Sequence, residues 1–157
     1  MDQPPQYQPS TTTSGQWGTS SLGSLGADVM SGLAYLIAIV PFVGFIGQIV
    51  LFAIEKNRFA KFHAAQAMSL SVVAYVLGVI NFIVSAMFTV GASATDSSSA
   101  ALGALGISAV IGCVLGIVGL VVFAFWIWGM ISGFTGKATK LPLVGGFAEG
   151  LAGGPLA

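Results

Sequence analysis

Leu102–Phe134 reads LGALGISAVIGCVLGIVGLVVFAFWIWGMISGF, and none of its 33 residues is charged. A helix of that length reaches about 50 Å, whereas the hydrocarbon layer of a bilayer is about 30 Å thick and needs about 20 apolar residues. The excess implies tilt, projection from the bilayer, or a surface segment near Leu102–Ser108. Soluble core helices are rarely this long or this uniformly apolar, so the stretch decides the class: all-α and integral to a membrane.

Two more apolar stretches lie upstream. Ala64–Val90 and Met30–Ile54 contain no Lys, Arg, Asp or Glu. The earlier one is interrupted by Pro41-Phe42-Val43-Gly44. Proline removes a backbone donor and clashes with the preceding turn, which predicts a break near Val40. The preferred reading is one broken span. The alternative is two short helices that turn back, and the bundle therefore has three or four membrane helices. Composition agrees: charged residues are 6% of the chain against roughly 25% in soluble domains. Net charge is zero, which leaves no basic face for nucleic acid.

Three regions follow. Residues 1–24, rich in Pro, Gln, Ser and Thr, read as a disordered tail with Tyr7 and Trp17 as stray aromatics. Residues 25–136 form the bundle, with spans near 30–54, 64–90 and 102–134. Residues 137–157 form a Gly-rich C-terminal tail. All five basic residues, Lys56, Arg58, Lys61, Lys137 and Lys140, fall in two connections that two successive crossings place on one side. The positive-inside rule makes 55–63 and 137–157 cytoplasmic and 91–101, with Asp96 and Ser97–Ser99, extracytoplasmic. The expected location is a cytoplasmic membrane. The single break at Pro41–Gly44 leaves open the side of the N-terminal tail.

Within the spans the polar residues are few. Gln48, Ser69, Ser71, Tyr75, Asn81, Ser85 and Ser108 read as interhelical hydrogen-bonding groups, each worth roughly 0.6–2 kcal/mol. A lining for a hydrated path is the alternative. Gly112-x-x-x-Gly116 and Gly129-x-x-x-Gly133 each present one small helix face. Packing within the chain is preferred to a dimer seam. Trp126 and Trp128 suit an aromatic belt at the cytoplasmic interface. In the basic connection, Arg58 and Lys61 precede His63 and Gln66, which share a helix face and are read as fixing the loop to the spans. Gln66 is expected to reach toward Gln48 or the first span.

Chemistry is scarce. One histidine and one cysteine, Cys113, supply neither a metal site nor a nucleophile–base pair, so no catalytic, cofactor or metal residue is assigned and the chain is expected not to be an enzyme. The function read from the residues is a membrane scaffold or accessory subunit working through helix packing and the basic loop. Its partners are the lipid bilayer and other membrane proteins or further copies of itself. An oligomeric channel is the alternative.

The Pro41-x-x-Gly44 break, the basic loop, Phe62-His63-Ala64-Ala65-Gln66-Ala67 and the closing Gly136-Lys137 with Leu141-Pro142-Leu143-Val144-Gly145 together resemble a family. It comprises small bacterial membrane proteins of unknown function, distantly similar to the Tic-type component of chloroplast inner-envelope protein import. The resemblance covers about Ser31–Phe147. It implies a helical bundle with a cytoplasmic basic loop and an association with protein translocation, and it implies no catalytic residue.

Overall fold

A computed structural model describes residues 17–94 and 97–155. Tyr7 and Asp96 therefore lie outside the described residues, as does most of the expected disordered tail. The named elements among the described residues are all helices: α1 (Ala27–Leu36), a 3-10 turn (Ile37–Ile39), α2 (Val43–Ile54), α3 (Arg58–Ser93), α4 (Ser98–Phe134) and α5 (Gly145–Leu151).

α3 and α4, of 36 and 37 residues, are each about 54–56 Å long and lie side by side as an antiparallel pair. They are the two helices long and apolar enough to cross a membrane. Their most apolar 18-residue windows are 11% and 0% buried inside the protein. A soluble core helix would be buried there, so this surface is built for lipid.

Met30–Ile54 does not form the single broken span preferred from sequence. At Pro41 the chain reverses. Val43 N–H donates to the Pro41 carbonyl at 2.7 Å, closing a γ-turn centred on Phe42 at φ 60°. That region is strained for a residue with a β-carbon, at a cost of about 1–3 kcal/mol. Phe42 is held there from α3, where the Tyr75 hydroxyl accepts its N–H at 2.8 Å and the two rings stack at 5.6 Å. Beyond the turn α2 runs back past α1: Gln48 Nε2 donates to the Ala34 carbonyl at 3.1 Å, and Gly44 lies against the Ile37 carbonyl. At the open end Ser20 and Ser21 meet Glu55. α1 and α2 are thus arms of a helical hairpin, and the chain enters and leaves it at the same end. Arms of 10 and 12 residues, about 15–18 Å, are too short to cross. Two helices long and apolar enough to cross a membrane thus stand beside a short hairpin, the turn-back alternative to a single broken span.

The core sits at one end. Buried residues of α3 run only from Phe59 to Leu70, and those of α4 are Gly129, Ser132 and Gly133. There α1 packs on α3 and α4, α2 on α3, and α5 on the base of α3. The upper halves of α3 and α4 have only each other. With both hairpin ends beside the basic connections, cysteines placed singly at Ser24 and Lys137 in a Cys113→Ala background should share one accessibility. A cysteine at Ser98 should show the opposite one. Impermeant thiol labelling of intact cells checks this, and opposite labelling at Ser24 and Lys137 would refute the hairpin.

Candidate functional site

The polar side chains collect in the packed end. Asn57 starts α3 as an N-cap, its side-chain oxygen accepting from the N–H groups of Phe59 and Ala60. His63 and Gln66 follow in the second and third turns on the face toward α1, both fully buried. α4 ends in a Schellman motif: Gly136, at φ 68°, donates to Gly133, and Lys137 N–H donates to the Ser132 carbonyl. That left-handed residue, which glycine adopts without strain, redirects the chain across the base of α3. The Lys137 carbonyl accepts from His63 Nε2 at 3.1 Å, and the Thr139 carbonyl accepts from Gln66 Nε2 at 3.2 Å.

Because a carbonyl can only accept, Nε2 carries the imidazole proton and Nδ1 is left as an acceptor. Nδ1 faces the buried Tyr35 hydroxyl of α1 at 3.4 Å, and that hydroxyl donates to Gln66 Oε1 at 3.1 Å. Phe59, Phe62 and Tyr35 pack edge-on around the imidazole. The node therefore joins three segments through one histidine, one glutamine and one tyrosine. Gln66 reaches the first apolar stretch through Tyr35. Gln48 instead bonds Ala34 and accepts from Ser71 Oγ at 2.9 Å.

A second node holds the N-terminal strap, residues 17–26. Glu55 Oε2 accepts from Ser20 Oγ, and Oε1 accepts from Ser21 N–H, Ser21 Oγ and the backbone N–H groups of Lys56 and Asn57 at 2.7–2.9 Å. Burial pushes the carboxyl pKa up, but the hydrogen bonds from Ser20, Ser21 and Asn57 outweigh it and hold the group below its ordinary value. Trp17 stacks on Phe59 at 4.6 Å and donates to the Gly136 carbonyl. Residues 17–24 are thus docked, although sequence composition places them in the disordered tail.

Arg58 Nη2 donates to the carbonyls of Gly153, Gly154 and Pro155 at 3.0–3.1 Å, and Lys61 Nζ lies over the Phe52 ring at 4.9 Å. Lys140 pairs with Glu149 at 2.9 Å. The basic loop is therefore engaged with its own chain.

The two glycine pairs separate. A β-carbon on Gly129 would lie 2.6 Å from the Tyr35 ring, and one on Gly133 would lie 2.9 Å from the backbone of α1. This pair is where α1 lies against α4. A β-carbon on Gly112 or Gly116 would meet nothing within 4 Å. With Gly78 and Asn81 they line a cleft of about 280 Å³ between α3 and α4. It adjoins a second cleft of about 380 Å³ walled by Pro41, Leu70, Tyr75, Phe123 and Trp126. Asn81 is exposed at its cleft. The lining of both clefts is mainly apolar, with Ser71, Tyr75 and Asn81 as the polar groups apart from the Trp126 indole. Among the described residues, no three of His, Cys, Asp and Glu converge as metal ligands.

Residues 27–148 match the model of a family described as the magnetosome magnetite crystal formation protein family. The chain belongs to that family. With two long lipid-facing helices, it is an integral membrane protein. No curated protein and no solved structure gives a match. The match supports a small membrane-protein family, whereas nothing among these comparisons supports the likeness to Tic-type import components.

Glu55, Tyr35 and the Ser20-Ser21 pair escaped sequence reading. Glu55 was visible as the one acid in a basic connection, but no periodicity tied it to serines 34 and 35 positions away.

Two outcomes follow for the purified protein in mild detergent. Since the folded-state pKa of Glu55 is lowered, its stabilisation is full above the unfolded-state value and is lost as pH falls through the folded one. The thermal midpoint of wild type should drop across that acidic window, and Glu55→Gln should flatten the drop. Gly129→Ala should cost about 1–3 kcal/mol by overpacking Tyr35. Gly116→Ala should change thermal stability little.

Proposed function

We propose that the protein is a non-enzymatic membrane scaffold of the compartment in which magnetite crystals form, acting by holding itself or other membrane proteins against its lipid-facing helices. The family supplies the setting: its description concerns magnetite crystal formation, and the match spans most of the chain. The observation that carries the mode of action is the contrast between the two ends. At the packed end, the side chains with chemistry are spent on internal bonds: His63, Gln66 and Glu55 close nodes, and Arg58 grips the chain's own carbonyls.

At the other end, α3 and α4 present an open small-residue face at Gly112 and Gly116 with the Asn81 amide beside it. An amide at hydrocarbon depth gains by finding a partner on another helix, and small residues let that helix approach. In this reading the basic end faces the cytoplasm of a bacterium, by the positive-inside rule, and the α3–α4 loop faces the opposite compartment.

Cys113, which is exposed beside Gly112, marks the place to look. A photo-crosslinking amino acid substituted there, in native membranes of a magnetite-forming cell, should give defined adducts with a second copy or another membrane protein. Asn81→Leu should weaken them. A chain that remains monomeric and without adducts would overturn the scaffold reading.

A further inference from the structure

The hairpin makes the protein wide at one end and narrow at the other. α1 and α2 lie beside the part of α3 between Phe59 and Tyr75 and reach no further. α5 thickens the same end, with Ala148 and Ala152 seated on Phe62 and Ala65. Beyond Tyr75 the cross-section is α3 and α4 alone. The hairpin is not sheltered by protein: Phe42, Val43 and Ile46 near its apex are 74%, 68% and 61% exposed. Leu143, Phe147 and Leu151, at or next to α5 and spaced four apart, are exposed as well. Apolar surface of that extent requires acyl chains around it.

The basic residues Lys56, Arg58, Lys61, Lys137 and Lys140 mark the wide end as the one at a leaflet surface. Arms of about 15–18 Å reach roughly to the middle of a hydrocarbon layer about 30 Å thick. One leaflet therefore accommodates four helices and the other two. Each helix is about 10 Å across and occupies about 80 Å², so the excess in the leaflet on the basic side is about 160 Å². A bilayer bent so that this leaflet is the outer, expanded one has that area to give, whereas a flat bilayer must compress it.

We infer that the protein is a one-leaflet wedge that favours membranes curved convexly toward its basic end. With that end cytoplasmic, the preferred surface is a small vesicle or tubule whose lumen lies on the side of the α3–α4 loop. The preference follows from shape and needs no partner, so it stands or falls separately from the scaffold role.

The test uses the full chain in giant vesicles from which narrow tubes are pulled. A fluorophore on Ser24→Cys in a Cys113→Ala background reports the wide end, and an impermeant quencher outside distinguishes the two orientations. Molecules with the wide end outward should be enriched severalfold in the tube relative to the parent vesicle, and those with it inward should be depleted. Because both populations are the same folded protein, misfolding cannot produce the difference. Equal densities in tube and vesicle, or enrichment indifferent to orientation, would overturn the inference.

Discussion

A backbone carbonyl that leaves a helix near lipid must find a donor, because hydrocarbon offers none. The chain meets this demand most acutely after Phe134, where α4 ends and the path must cross the base of α3. Lys137 and Thr139 present carbonyls there, and His63 and Gln66 supply the donors. Much of the packed end is arranged around that satisfaction. The tautomer of His63 is set by the Lys137 carbonyl, which leaves Nδ1 and the Gln66 oxygen facing the Tyr35 hydroxyl. Tyr35 in turn lies so close to Gly129 that a β-carbon there would come within 2.6 Å of its ring. One demand for donors thus fixes the loop, the ring of a tyrosine and the docking of a helix.

The hairpin has a different origin. Pro41 denies the helix a donor, and the chain could have answered with a kink, as many transmembrane helices do. It reverses instead because the strained turn at Phe42 is compensated from α3: a hydrogen bond from the Phe42 N–H to Tyr75 and a stacked pair of rings. Gln48 then finds both a carbonyl on α1 and a hydroxyl on α3, so the returning arm carries no unanswered amide.

The class of fold was legible in composition and in the length of apolar runs, since lipid exposure is a property of local sequence. The break at Pro41 was equally legible as a break. Whether the chain continued or returned was not, because that choice rests on Tyr75, 33 residues away. Spacing placed His63 and Gln66 on one helix face, but their acceptors lie more than 70 residues on and leave no local trace. Spacing also treats both glycine pairs alike. Only the position of α1 separates a pair that is filled from a pair that is open.

The grip of Arg58 on the carbonyls of Gly153, Gly154 and Pro155 has a temporal consequence. Arg58 is synthesised at the entry to α3, yet its acceptors emerge after both long helices have been made. Until then a guanidinium at the membrane boundary has only water and headgroups to bond. That latch consequently closes only after both long helices exist, over a sequence separation of 95 residues or more, which is the slow class of folding event.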